Sequence, residues 1–173
     1  ESGLIELYGV PLTLLPLSSL VKEQKLLEEK GMENAVYVAN KLTGVEWNKN
    51  MVKKFKTKTH KQIVDEGNKV MSIAGWGEFK VIKQDVVNKE FMWRIYGSTF
   101  AKQYGSSDHA VCNAVRGLFT GAAVFLLGKD KIELDGVETK CLAIGSEYCE
   151  FVIKERKKFK SGNPIVERQL KKL

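Results

Sequence analysis

The chain has 173 residues, close to the usual size of one domain, and its 43% hydrophobic and 28% charged residues suit a globular protein with a real core. Apolar runs such as "AAVFLLG" and "LYGVPLTLLPL" fall short of the roughly 20 residues a membrane-spanning helix needs, and no basic segment precedes an apolar one at the start, so neither a membrane span nor secretion is expected. The net charge is +7, of which +6 lies from Lys154 onward, where eight basic and two acidic residues stand without the interleaved aromatics of a base-stacking nucleic-acid surface.

In chain order, Leu4 to Leu17 reads as an extended edge segment, because Pro11 and Pro16 forbid a helix interior. Ser18 or Ser19 can cap a helix through "LVKEQKLLEEKG", with Gly31 as its stop. A second helix is predicted at "ENAVYVANKLTG". Helical spacing continues through Val52, Phe55, Ile63, Val64, Val70 and Met71. At Gly75 the pattern changes to two antiparallel strands, "WGEFKVIKQDVV" and "EFMWRIYGS", turning at Asn88 and Lys89. Asp108 to Leu127 returns to helix, with Asp108 as its cap. Three extended pieces follow, "KIELDG", "ETKCLAIG" and "YCEFVIKE", with a tight turn at Gly145-Ser146 between the last two. This order predicts an α+β fold: an antiparallel twisted sheet, an N-terminal helical half, and one long helix packed on the sheet. Residues 1–155 are expected to form a single domain and residues 156–173 a solvated basic C-terminal extension. A weak patch for an anionic partner or membrane surface is the alternative reading of that extension.

Three cysteines are an odd number, clustered in the last third of the chain, which suggests reduced thiols and a cytoplasmic location. Cys141 and Cys149 flank the predicted turn and can face each other across it. Glu138 stands three residues before Cys141, and Cys112 lies near a helix start, where amides and the helix dipole favour a thiolate. Three thiolates and a carboxylate would complete a closed, tetrahedral zinc site of structural type. His109 is a rival for the place of Glu138, and three small buried thiols are the plainer reading. Gly117 and Gly121 are best explained by close helix packing. Arg94 and Arg116 fall within apolar stretches, where an inward guanidinium could anchor an anionic or phenolic ligand, although outward-facing ion pairs are the expectation.

The runs "VCNAVRGLFTGAAVFLLG" and "VETKCLAIGSEYCEFVI" resemble the 4-vinyl reductase domain family. Cys112, Gly117, Gly121, Glu138, Cys141 and Cys149 reproduce the spacing of its sensor members: Cys, four residues, Gly, three residues, Gly, and later Glu, two residues, Cys, seven residues, Cys. The likeness runs from Gly75 to Glu155, with a less distinctive echo in "LTLLPLSSLVKEQKLLEEKG". It implies a fold shared with distant trafficking-complex subunits, a structural zinc ion on Cys112, Glu138, Cys141 and Cys149, and a pocket for a hydrophobic or aromatic molecule. Trp76, Phe79, Trp93, Tyr96 and Phe119 are the candidate lining, each also a candidate for plain core. The family also implies homodimers. Three functions follow from these expectations: a stand-alone sensing or binding domain, a homodimeric scaffold, or a vinyl-reductase component. The last finds no flavin or nicotinamide fingerprint, and no GxxxxGK[ST] loop marks an ATPase. The only histidines are His60 and His109, so no catalytic residue is proposed.

Overall fold

The computed structural model describes residues 5–7, 10–56, 58–128 and 133–171. A two-stranded hairpin, β1 (Ile5–Leu7) and β2 (Val10–Leu12), replaces the single extended segment expected at the start. Helix α1 (Leu17–Glu29) begins one residue after Pro16, which takes the cap position, so Ser18 and Ser19 lie inside the first turn and cap nothing. Gly31 ends it in the left-handed region at φ +68°, a conformation glycine adopts without a Cβ clash. Helix α2 (Glu33–Lys54) runs ten residues past the predicted end at Gly44. Gly44 is a contact point rather than a stop. Helix α3 (His60–Ile73) opens with a capping box, in which Thr59 and Gln62 bond each other's backbone N–H.

The four-stranded sheet is antiparallel, in the order β3 (Glu78–Asp85), β4 (Glu90–Tyr96), β6 (Tyr148–Glu155), β5 (Leu134–Lys140). Along β4, Phe91, Trp93 and Ile95 are buried while Met92, Arg94 and Tyr96 are half-buried, the period-two pattern of a sheet with one face on the core. A short helix, α4 (Thr99–Tyr104), which the sequence pattern did not announce, follows β4. Helix α5 (Asn113–Leu126) then crosses the inner face. Its cap residue is Cys112, not Asp108, whose carboxylate engages His109 instead.

Helices α2 and α5 run in the same direction in close contact. A Cβ added to Gly117 would stand 2.4 Å from Tyr37 O, and one added to Gly121 would stand 2.3 Å from Lys41 O. The two glycines are therefore packing residues, as their spacing suggested. The pieces "KIELDG" and "ETKCLAIG" form one strand, β5, although residues 131 and 132 lie outside the described ones. Gly136 passes through its middle because a Cβ there would meet Thr120 Oγ1 at 2.3 Å. Between β5 and β6 the chain makes a 3₁₀ turn, Leu142–Ile144, closed by Gly145 at φ +88°, instead of a two-residue hairpin turn.

β5 is an edge strand, and its outward backbone groups are covered by side chains from three helices. Lys41 Nζ donates to Leu134 O at 2.5 Å, Tyr37 Oη accepts from Gly136 N at 3.1 Å, and the Gln169 side chain bonds both Glu138 N (2.8 Å) and Glu138 O (2.9 Å). An edge so covered cannot pair with another strand. Gln169 belongs to α6 (Pro164–Leu170), capped by Asn163, whose side chain accepts from Ile165 N at 3.0 Å. The basic C-terminal segment is thus not a solvated extension throughout: it folds back, and Gln169 and Leu170 are buried. No helix among the described residues is long and apolar enough to cross a membrane.

Candidate functional site

Two features lie on opposite flanks of α5. The first is a buried cluster at its N-terminus. Pairing of β5 with β6 slips by one residue between Glu138 and Lys140. Regular alternation would turn Cys141 away from Glu138, three positions earlier. The bulge leaves Thr139 and Lys140 outward and brings Glu138 and Cys141 to the same face. Cys149, opposite Ile95 on β4, points to that face as well.

Cys112 Sγ lies 3.8 Å from Cys149 Sγ, and Cys149 Sγ lies 3.9 Å from Cys141 Sγ. The ligand atoms of Cys112, Glu138, Cys141 and Cys149 all fall within 4.8 Å of one another, and all four residues are buried. Zn–S bonds of about 2.3 Å in a tetrahedron place sulfurs about 3.8 Å apart, so the thiols stand at the edges of a zinc-sized cage. Glu138 Oε2 accepts from Cys112 N at 2.8 Å, whereas buried Oε1 has no partner among the described residues. An orphaned buried carboxylate oxygen calls for a cation. The donor set fits a soft divalent metal with no open coordination position.

Electrostatics agrees with the geometry. Burial, then the charge at Cys141, raises the Glu138 carboxyl well above its ordinary range. Hydrogen bonds to the Cys141 and Cys149 thiols, then burial, raise Cys112. The same bonds from Cys112 and Cys149 lower Cys141. Without a cation the cage tolerates about one negative charge, and a divalent ion would let more of its groups ionise.

His109 takes no part in the cluster. Its Nδ1 lies 2.5 Å from Asp108 Oδ1 and its Nε2 lies 3.7 Å from Glu28 Oε2, on a half-buried patch where Tyr104 also donates to Glu28. This patch ties α1 to the loop that delivers Cys112, since Gln24 Nε2 donates to both Glu28 Oε1 and Val111 O. The Glu28 carboxylate, against the opposing effect of burial, raises the His109 pKa, with Asp108 adding to it. Burial would raise Glu28, but His109, Tyr104 and Gln24 together leave it lowered. The His109 contribution is complete below its unfolded value near 6.5 and is lost as pH rises through the higher folded value. His109→Gln is therefore expected to flatten the fall in thermal midpoint on the alkaline side of that window, read by calorimetry from pH 6 to 9. An unchanged slope would assign the dependence elsewhere.

The second feature is a cavity of about 450 Å³ bounded by β2, the helices α1, α2, α3 and α5, and the start of β3. Of the predicted lining residues, Trp76, Phe79 and Phe119 border it. Trp93 and Tyr96 do not. Trp93 is fully buried behind Phe119, stacked with ring centroids 5.0 Å apart, and Tyr96 sits against Tyr148. The remaining walls come from residues the sequence did not single out, among them Trp47, Leu118 and Ala122. Thr13, Asn40, Thr43, Asn48 and Asn68 are the polar lining, and no lining residue is charged. Neither arginine borders the cavity. Arg94 pairs with Glu150 at 2.8 Å, as expected of an outward residue, but Arg116 is fully buried and not an outward ion pair.

Fold and sites together define an α+β domain with a closed thiol and carboxylate cage on one side of its central helix and an apolar cavity on the other. A model of the vinyl-4-reductase (V-4-R) domain matches residues 91–155, the span from β4 to the end of β6 that holds all four cluster residues, and this bears out the resemblance to the 4-vinyl reductase family. Three solved structures are similar. The phenol-responsive sensory domain of the transcription activator PoxR with phenol shares 18% identity over 93% of this chain and 85% of that one, with a TM-score of 0.72. A vinyl-4-reductase family protein from Methanocaldococcus jannaschii shares 15% over 83% of each chain, at 0.56. A trafficking protein particle complex subunit 3 from Naegleria fowleri, covalently bound to palmitic acid, shares 9% over 80% of this chain and 93% of that one, at 0.53. At these identities the likeness is one of fold. Comparison with curated proteins gave no match.

Proposed function

We propose that this chain is a small-molecule-binding, sensing domain that takes a neutral, largely apolar ligand of aromatic or hydrocarbon type, with a structural zinc ion on Cys112, Glu138, Cys141 and Cys149. The carrying observation is the 450 Å³ cavity with an uncharged lining that is mainly apolar. A charged ligand would enter it unpaired, at a cost of several kcal/mol. The fold neighbour that responds to phenol supports the same reading. The zinc, when bound, would supply rigidity: it ties the start of α5 to the β5–β6 connection and fixes the helix whose Val115, Leu118 and Phe119 form one cavity wall.

Two other readings fare less well. The trafficking neighbour holds its palmitate covalently, whereas no cysteine of this chain borders the cavity and all three lie in the cluster. Vinyl reduction needs a proton donor beside the substrate, and no lining residue is titratable. Thiols at van der Waals distance without a disulfide suit a reducing compartment and hence the cytoplasm. Exposed Leu26, Val38 and Leu42 on α1 and α2 suit a homodimer contact, compatible with a sensor.

Native mass spectrometry on gently purified protein, with phenol and alkylphenols as probes, tests the ligand. Retention of a hydrophobic molecule or saturable probe binding is expected, and Met71→Trp, which fills cavity space, should weaken binding at least about tenfold. Absence of any binding to the folded protein would sink the reading.

A further inference from the structure

The last helix reaches the metal cage through Glu138. The carboxylate of Glu138 accepts from Cys112 N, while on the other side of the strand its backbone N–H and carbonyl are both bonded by the Gln169 side chain, at 2.8 and 2.9 Å. The amide of Gln169 stands in for a missing neighbour strand at this one residue of β5. Gln169 is itself fixed: Arg116 Nη1 donates to Gln169 O at 2.8 Å and to Gln169 Oε1 at 3.2 Å. Arg116 Nη2 donates to Asn34 Oδ1 at 2.8 Å, and Asn34 Nδ2 donates to Lys171 O at 2.7 Å.

Arg116 has no carboxylate among these partners and stacks 4.1 Å over the Tyr37 ring. Burial lowers its pKa to about 10. A buried guanidinium satisfied mainly by carbonyl oxygens is costly to maintain unless the groups it gathers stay in place. What it gathers is α6. Arg116 also lies one turn beyond Cys112, to whose carbonyl its N–H donates at 2.9 Å. The cage and the clasp on α6 therefore share a helix at one side and Glu138 at the other.

Glu138 needs such a clamp. It lies on a bulged edge strand, where the ladder is interrupted and the residue can rock, carrying its carboxylate off the ligand position. We propose that Gln169 is a positioning residue for this carboxylate, so that docking of α6 and metal binding at the cage are linked, each tightening the other. The proposal rests on the metal reading above. Groups that orient metal ligands are typically worth roughly 10–100-fold in affinity, and linkage makes the effect reciprocal.

The test uses the full chain and zinc alone. Zinc affinity is measured by competition with a chromophoric chelator, and hydrogen exchange is followed for residues 164–171 with zinc and after chelation. The wild type should bind one zinc, and chelation should speed exchange in α6 by roughly tenfold or more. Gln169→Ala should keep the stoichiometry but bind zinc roughly 10–100-fold more weakly, and its α6 should respond little to chelation. Gln169→Glu keeps the stem and loses the donor to Glu138 O, so it serves if the alanine variant fails to fold, with the same weakening expected. Wild-type zinc affinity in these variants, or α6 exchange indifferent to chelation in a wild type that does bind zinc, overturns the linkage. A wild type that binds no zinc overturns the metal reading and the proposal with it. A Gln169 that merely held the strand would lower the thermal midpoint equally with and without zinc.

Discussion

Cys141→Ser is expected to abolish stoichiometric zinc and to lower stability by several kcal/mol, because metal binding free energy at a structural site is folding free energy. Serine keeps the volume but supplies no thiolate, and a cage of two thiols and one carboxylate loses most of its hold on a soft cation. The pH dependence gives the second signature. In metal-free protein the Glu138 carboxyl, whose ordinary value is 4.5, is held well above it by burial and by Cys141. A raised folded value means that its contribution is complete below about pH 4.5 and is lost as pH rises toward the folded value, so chelated protein should lose stability from pH 5 to 8. Zinc competes with protons for the same groups, so loaded protein should gain stability over that range. Calorimetry on loaded and chelated samples, with metal analysis, separates the two. Parallel slopes and an unchanged midpoint in Cys141→Ser would remove the metal from the account.

How far this was legible in sequence depends on what each residue type announces. The cage was legible because thiols and a carboxylate carry their chemistry in their identity, and because the spacing of Glu138 and Cys141 encodes a bulge even though alternation alone would have separated them. Strand β4 was legible because its burial follows period two. Helix α2 was cut short for the converse reason. Its buried positions, Asn34, Tyr37, Gly44, Asn48 and Met51, recur at helical spacing, but mostly as polar or small residues, so no apolar stripe marks the face. The cavity suffers from the same cause, since its lining includes Asn40, Thr43, Gly44 and Asn48 from that face. Arg116 and Gln169 were misjudged because charge and polarity read as exposure, and only the carbonyls of α6 and the edge of β5, distant in sequence, give them partners.

The glycines supply the sharpest contrast between local propensity and tertiary contact. Replacing glycine by alanine in a helix interior should stabilise by up to about 1 kcal/mol. Gly67 on α3 meets that expectation: an added Cβ has nothing within 4 Å, so Gly67→Ala should raise the thermal midpoint by a few degrees. Gly121→Ala should do the opposite. Its Cβ would stand 2.3 Å from Lys41 O and 2.8 Å from Gly44 Cα, both backbone, so no rotamer can yield and the two helices must separate. Overpacking of this kind costs about 3 kcal/mol, which outweighs the propensity gain and leaves a net loss of about 2 kcal/mol. For a chain of this length that is a fall of roughly 4–8 °C. Because α5 also carries Cys112 and the Phe119 wall, the same substitution should weaken zinc retention and ligand binding together. If Gly121→Ala melted at or above the wild-type midpoint, the close crossing of α2 and α5 could not be the contact on which both sites are built.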